Sequence, residues 1–186
     1  MLPVIIDLTY FKVAVIGGGL QAQRRLEMID AAGASFVSVY APEASQDMLD
    51  LAGDRLIARL PSDDEVSRFN IIYIANIDDL TAERLVSVAR AHKTLVNVED
   101  VRPLCDFHVP ALVRRGDLLL TVSTGGKSPG LARRLKADLE ANYPAEWSER
   151  LDFISQEREK WRASGDNFKA LIDKTNALID KMKWLK

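Results

Sequence analysis

The 186-residue chain carries a formal net charge of −2 at pH 7, with 47% hydrophobic and 28% charged residues. These are the proportions of a globular protein long enough for one domain or two small ones. The charge balance excludes the basic footprint of a nucleic-acid partner, no apolar run approaches the length of a membrane span, and the single cysteine, Cys105, excludes an internal disulfide framework. With no basic N-terminal region ahead of a long apolar core, no secretory signal is read and a reducing, cytoplasmic location is expected. His92 and His108 lie far apart and no other thiol accompanies Cys105, so no metal site is expected.

Met1 to Tyr10 is mostly apolar and is expected along the edge of a sheet. Val13 to Ile16 reads as a buried parallel strand. It runs directly into Gly17, Gly18 and Gly19. Gly17, Gly19 and Ala22 fit the G-x-G-x-x-A form of the dinucleotide fingerprint. Gly17 permits the tight turn off the strand, Gly19 lets a pyrophosphate approach the main chain, and Ala22 lets the next helix pack closely. The helix is predicted over Leu20 to Ala32, with Ala22, Leu26 and Ile29 inward and Gly33 ending it.

A second strand is predicted at Phe36 to Tyr40. Glu43 follows it at about the distance where a carboxylate can hold a ribose hydroxyl; a helix first-turn carboxylate is the other reading. No arginine follows directly to hold a 2′-phosphate, which favours NAD over NADP. Ser45 to Ala52 reads as a short helix and Arg55 to Arg59 as a third strand. Asp63, Asp64 and Glu65 read as a solvated helix start. Ile71 to Ala75 is a strongly apolar fourth strand, and Asn76-Ile77-Asp78-Asp79 follows at the carboxyl end of the sheet, where ligands of such folds sit. A helix over Thr81 to His92 and a strand over Leu95 to Val98 complete an alternation that argues a parallel sheet.

After Asp100 the pattern changes. Phe107 to Val113 and Leu118 to Val122 flank Arg114-Arg115-Gly116-Asp117 and read as an antiparallel hairpin. Ser123-Thr124-Gly125-Gly126-Lys127-Ser128-Pro129-Gly130 is a second glycine loop. It fails the Walker A template, which wants glycine where Thr121 stands. It opens a helix over Pro129 to Asn142, with Pro129 suited to the first turn. Pro144 breaks that helix. Trp147, Leu151, Ile154 and Trp161 recur at helical spacing, Ser164-Gly165 is a turn, and Phe168, Leu171, Ile172, Thr175, Leu178, Ile179 and Met182 follow heptad-like spacing.

Two groups of residues could carry chemistry. Glu99 and Asp100 stand at the carboxyl end of the fifth strand, on the rim of the nucleotide crevice. Strand alternation lets at most one of them face the cleft as a general base, and a turn aspartate is an equal reading of Asp100. Lys127, Arg133 and Arg134 gather around the second glycine loop, whose main-chain N–H groups suit an anion. An anionic substrate is therefore expected there.

Several stretches together resemble the precorrin-2 dehydrogenase module of sirohaem synthesis: Val-Ile-Gly-Gly-Gly at 15–19, the segment 34–43 ending Val-Tyr-Ala-Pro-Glu, Ile-Ala-Asn-Ile-Asp-Asp at 74–79, and Val-Asn-Val-Glu-Asp at 96–100. The most specific are Leu-Cys-Asp-Phe-His-Val-Pro-Ala at 104–111 and Ser-Thr-Gly-Gly-Lys-Ser-Pro-Gly-Leu-Ala-Arg at 123–133. The resemblance covers roughly residues 1 to 145. It implies oxidation of precorrin-2 to sirohydrochlorin with NAD⁺, followed in some members by insertion of Fe²⁺. It implies Asp100 as the catalytic aspartate. Cofactor contacts are implied at Gly17, Gly18, Gly19, Leu20, Gln21, Pro42, Glu43, Ile77 and Asp78. The acetates and propionates of the tetrapyrrole suit the loop Ser123, Thr124, Gly125, Gly126, Lys127 and Ser128. A homodimer formed through the region after the nucleotide domain is implied, with the tetrapyrrole between the domains.

The chain departs from the family at Ala75-Asn76-Ile77-Asp78, where Ala-Ala-Thr-Asp is usual, at Glu83, where the family carries asparagine, and at Gln21 to Arg25. A tetrapyrrole-binding or chelatase-only protein that keeps the fold is the competing reading. The expected architecture is α/β. A Rossmann-like parallel sheet occupies 1–102, a small α+β unit for dimerisation and substrate binding occupies 103–143, and a C-terminal helical segment occupies 144–186.

Overall fold

The computed structural model describes residues 1–185. They form two compact units, Met1–Val109 and a second from Pro110 onward. The first unit is built on five parallel strands: β1 (Lys12–Ile16), β2 (Phe36–Tyr40), β3 (Leu56–Ile57), β4 (Ile71–Ile74) and β5 (Leu95–Val98), in the order β3-β2-β1-β4-β5. The helices are α1 (Leu20–Ala31), α2 (Gln46–Ala52), α3 (Asp63–Val66) and α4 (Asp79–Ala91).

The strand alternation sorts the core into two layers. Val13 and Val15 of β1, with Ile71 and Tyr73 of β4, meet Ala22, Leu26 and Ile29 of α1 and Met48 of α2. Ala14 and Ile16, with Ile72 and Ile74, meet Ala82, Leu85, Val86 and Ala89 of α4. Both faces are covered, which is why β1 and β4 are continuous apolar runs. Leu26 and Ile29 are fully buried, a gain of about 1.5–3 kcal/mol each.

Several boundaries differ from the expectation for local reasons. The third strand is only Leu56–Ile57. Arg55 is drawn away by the Asp30 carboxylate and the carbonyls of Leu51 and Ala52. Arg59 pairs with Glu65, which closes a capping box with Ser62 at the start of α3. The Arg59 guanidinium and the Ser62 N–H hold the Glu65 carboxyl well below the usual carboxylate range. α4 begins at Asp79, before the expected Thr81, because the Asp78 carboxylate accepts the Thr81 N–H at 3.0 Å. Met1 to Tyr10 forms no strand; its only regular element is a 3₁₀ turn, Leu8–Tyr10, capped by Asp7, with Leu8 buried in the core.

The segment 103–109, expected with the second unit, packs with the first. Phe107 and Val109 join the core layer under α1, Phe107 sits edge-on to Tyr73 at 5.4 Å, and Asp106 accepts the Val96 N–H at 3.0 Å.

In the second unit, β6 (Ala111–Arg115) pairs antiparallel with β7 (Leu118–Val122). β6 lies later in the chain than expected. Arg114 and Arg115 belong to the strand, opposite Leu119 and Leu118, and Gly116-Asp117 alone makes the turn, with Gly116 at φ +58°. Three helices follow: α5 (Pro129–Asn142), α6 (Trp147–Ala163) and α7 (Phe168–Met182). Arg115 donates to the Tyr143 carbonyl at 2.7 Å, tying the hairpin to the end of α5. Trp184 meets Trp147 and Phe153 edge-on, with the Arg150 guanidinium over both tryptophan rings.

Candidate functional site

The order of the parallel strands reverses between β1 and β4, so connections leave these neighbours in opposite directions and open a crevice at their carboxyl ends. Three loops meet there. The Gly17 N–H donates to the Tyr40 carbonyl (2.8 Å), the Ser45 N–H to the Gly18 carbonyl (3.0 Å), and the Ala75 N–H to the Ile16 carbonyl (3.0 Å). The ends of β1, β2 and β4 are thus latched to one another. A Cβ on Gly17, whose φ is +130°, would stand 1.8 Å from the Ala75 carbonyl oxygen, and one on Gly18 would stand 1.9 Å from that of Glu43.

Gly19 faces a side chain rather than a carbonyl. The space a Cβ would take there is held by the Asn76 side chain, with Cγ and Oδ1 both 2.8 Å away. Asn76 has φ +58°, and its Oδ1 accepts the Ala22 N–H at 3.4 Å. The N–H groups of Gly18, Gly19, Leu20 and Gln21 meet no protein acceptor among the described residues. A run of free N–H groups at the start of α1 is a main-chain cradle for a diphosphate, and the residues present fit a dinucleotide.

The structure gathers Gly17, Gly18, Gly19, Leu20, Gln21, Pro42 and Glu43 at this crevice. Pro42 and Glu43 are exposed beside Gly18. Ile77 and Asp78 follow β4, but their side chains have other work. Ile77 packs against the core layer under α4. Asp78 caps α4, and the Thr81 N–H holds its carboxyl below the usual range.

The two carboxylates at the end of β5 are separated by an ion pair. The strand stops at Val98, so alternation does not reach them; Glu99 and Asp100 form a turn, with Asp100 at φ +59°. The Glu99 N–H donates to the Ile74 carbonyl at 2.9 Å, and its carboxylate is taken by Arg25 of α1. The Asp100 side chain is exposed and accepts no hydrogen bond from the described residues. In the core layer under α1, burial pushes the Tyr73 phenol up to about 12, against a smaller opposing effect of Arg25.

The second glycine loop is braced internally. The Thr124 hydroxyl donates to the Ser128 carbonyl (3.1 Å) and accepts the Ser128 N–H (3.3 Å); the Ser128 hydroxyl caps α5 by accepting the Leu131 N–H. Pro129 occupies the first turn of α5, as expected. Gly125 and Gly126 have φ of +61° and +77°. Ser123 accepts the Gly125 N–H, and Lys127, Arg133 and Arg134 are exposed. The loop offers outward main chain, positive charge and the exposed Ser123 hydroxyl, whose O–H donates to no acceptor among the described residues.

A family model described as "Putative NAD(P)-binding" matches residues 4–111. The chain belongs to this NAD(P)-binding family. The matched residues of this NAD(P)-binding chain run through β1 to β5 and include all three loops at the crevice, as well as Asp100. A second model, "Sirohaem biosynthesis protein central", matches residues 115–142, which contain the loop Ser123 to Ser128. The siroheme synthase of Methylobacillus flagellatus is 36% identical over 161 residues, covering 85% of this chain and 34% of that protein. That of Methylococcus capsulatus is 34% identical over 165 residues, covering 87% and 34%. The chain thus spans about a third of the length of these curated relatives. Among solved structures, "SirC, precorrin-2 dehydrogenase" superposes with a TM-score of 0.80 at 25% identity, covering 100% of this chain and 93% of that one.

The sequence places Asn76 and Glu99 at the carboxyl edge of the sheet but does not reveal the contact of Asn76 with Gly19 and Ala22 or the pairing of Glu99 with Arg25. Asn76 carried one signal: it is the first residue after a buried strand at the carboxyl edge of the sheet. The Arg25–Glu99 pair carried none, since its partners stand 74 residues apart.

Proposed function

We propose that this NAD(P)-binding chain is a precorrin-2 dehydrogenase that yields sirohydrochlorin. The observation that carries the proposal is the agreement of the whole chain, both units included, with the fold of SirC, a precorrin-2 dehydrogenase. The siroheme synthase relatives and the sirohaem central segment support the same substrate class.

NAD⁺ supplies a hydride acceptor. The N–H groups of Gly18 to Gln21 hold its diphosphate, and the glycine contacts keep that cradle rigid. Glu43, with Ala44-Ser45-Gln46 after it and no arginine, favours a ribose hydroxyl over a 2′-phosphate. Oxidation removes one hydride and one proton from the tetrapyrrole, and Asp100 accepts the proton. Glu99 is unsuited to that task because its carboxylate is neutralised by Arg25, whereas the Asp100 carboxylate is free. Lys127, Arg133 and Arg134, with the main-chain N–H groups of the loop from Ser123 to Ser128, receive the substrate's carboxylates. The second unit pairs with that of another copy: Leu131 and Leu135 of α5, one turn apart, are 49% and 41% exposed, and both edges of the β6–β7 sheet are free of other strands among the described residues.

Anaerobic incubation with precorrin-2 and NAD⁺ is expected to give NADH and the sirohydrochlorin spectrum. An arm with added Fe²⁺ as substrate reads out chelation. Asp100→Asn keeps the left-handed backbone and removes the base, so oxidation should fall by about 100-fold or more with NAD binding intact. Tight sirohydrochlorin binding with no NADH formed would establish the chelatase-only or carrier reading instead.

A further inference from the structure

The Asn76 side chain lies at the strand-order reversal, against Gly19 and the first turn of α1, and only one end of its carboxamide is used. Oδ1 accepts the Ala22 N–H. Nδ2 donates to no acceptor among the described residues, and Asn76 is exposed. It is the side chain at which Gly19 has no room for a Cβ. It therefore stands beside the free N–H groups of Gly19, Leu20 and Gln21, with its Nδ2 donor unspent.

The geometry points to Asn76 as a diphosphate-binding residue of the NAD site, whose Oδ1 caps α1 while its Nδ2 donates to a phosphate oxygen. The inference rests on the reading of this loop as the cofactor cradle. The left-handed backbone of residue 76 turns the side chain back over the α1 terminus. Asparagine, aspartate and glycine tolerate that conformation better than other residues do. A carboxamide is also the group that can serve both ends, since a helix N–H needs an acceptor and a diphosphate needs a donor. Aspartate can cap but would set an anion against the diphosphate. Glycine can do neither.

Two variants separate the roles. Binding of NAD⁺ and of ADP-ribose is measured by calorimetry, and melting by circular dichroism. Asn76→Asp keeps the cap, so its melting temperature stays at or above the wild-type value, while affinity for both ligands falls at least tenfold. Asn76→Gly keeps the backbone without charge, and affinity falls about three- to tenfold, the loss of one hydrogen bond. Wild-type or tighter affinity in Asn76→Gly overturns the inference, because Asn76 would then be a cap or an obstruction. If the wild-type protein binds neither NAD⁺ nor ADP-ribose, the cofactor reading falls and this inference with it; if it binds both and only the variants disagree, the assignment of Asn76 alone is lost.

Discussion

The two units close their cores by different means. In the first, β1 and β4 are buried on both faces, and α1, α2 and α4 cover them from either side. In the second, three helices and a two-stranded sheet leave only Val113, Trp147, Ile154 and Leu171 buried among the described residues. Phe168 is 73% exposed and Ile172 41%. A two-stranded sheet is marginal without further packing. The nucleotide-binding unit therefore has a core closed on both faces of its sheet, whereas the second unit buries few side chains and leaves large apolar ones exposed. A fixed frame suits a cofactor cradle, which must hold a run of N–H groups in one geometry. An open apolar surface suits assembly.

The largest test of this contrast is Leu26→Ala. Leu26 is fully buried in the first unit, so its truncation should cost about 3 kcal/mol, read as an earlier transition independent of protein concentration. A concentration-dependent transition in that unit would break the comparison. The second unit should behave oppositely. If its apolar surface is covered by a second copy, a hundredfold dilution should weaken the assembled state by about 2.7 kcal/mol and lower its melting temperature. Leu135→Glu should abolish that dependence and give a monomer by ultracentrifugation. A wild-type monomer with a concentration-independent melt would show that the surface is covered otherwise.

The smallest effect concerns pH. Burial pushes the Tyr73 phenol up to about 12, whereas an unfolded tyrosine loses its proton near 10. Between those values the unfolded state binds fewer protons, so the stability of the first unit should fall as pH rises, by about 2.7 kcal/mol in total. Below pH 10 the group contributes no slope. Tyr73→Phe should remove that part of the alkaline loss, measured as the difference between the two proteins' denaturation midpoints from pH 9 to 12. Identical alkaline profiles would mean that the phenol is reached by solvent.

Much of this architecture was legible in the chain. Val13 to Ile16 and Ile71 to Ile74 are short apolar runs because parallel strands with two covered faces demand them, and the inward stripe of Ala22, Leu26 and Ile29 follows from helical period alone. The candidate site was legible where it is local, in the glycines after β1 and the loop from Ser123 to Ser128. It was illegible where partners come from afar. The reading of Glu99 and Asp100 relied on strand alternation, but the strand ends before both, and what separates them is Arg25 on another element. The hairpin begins later than the apolar run from Phe107 suggests, because the Phe107 ring is used against Tyr73 in the first unit.

The sequence by itself determined the element order, the parallel sheet of the first unit and the position of the glycine turn, since each depends on periodicity or on residues adjacent in the chain. Only the tertiary structure decided what each glycine makes room for: the Ala75 carbonyl at Gly17, the Glu43 carbonyl at Gly18 and the Asn76 side chain at Gly19. It also decided which carboxylate is left free. Close approach and charge neutralisation are properties of pairs, and the members of these pairs meet only when the sheet has formed.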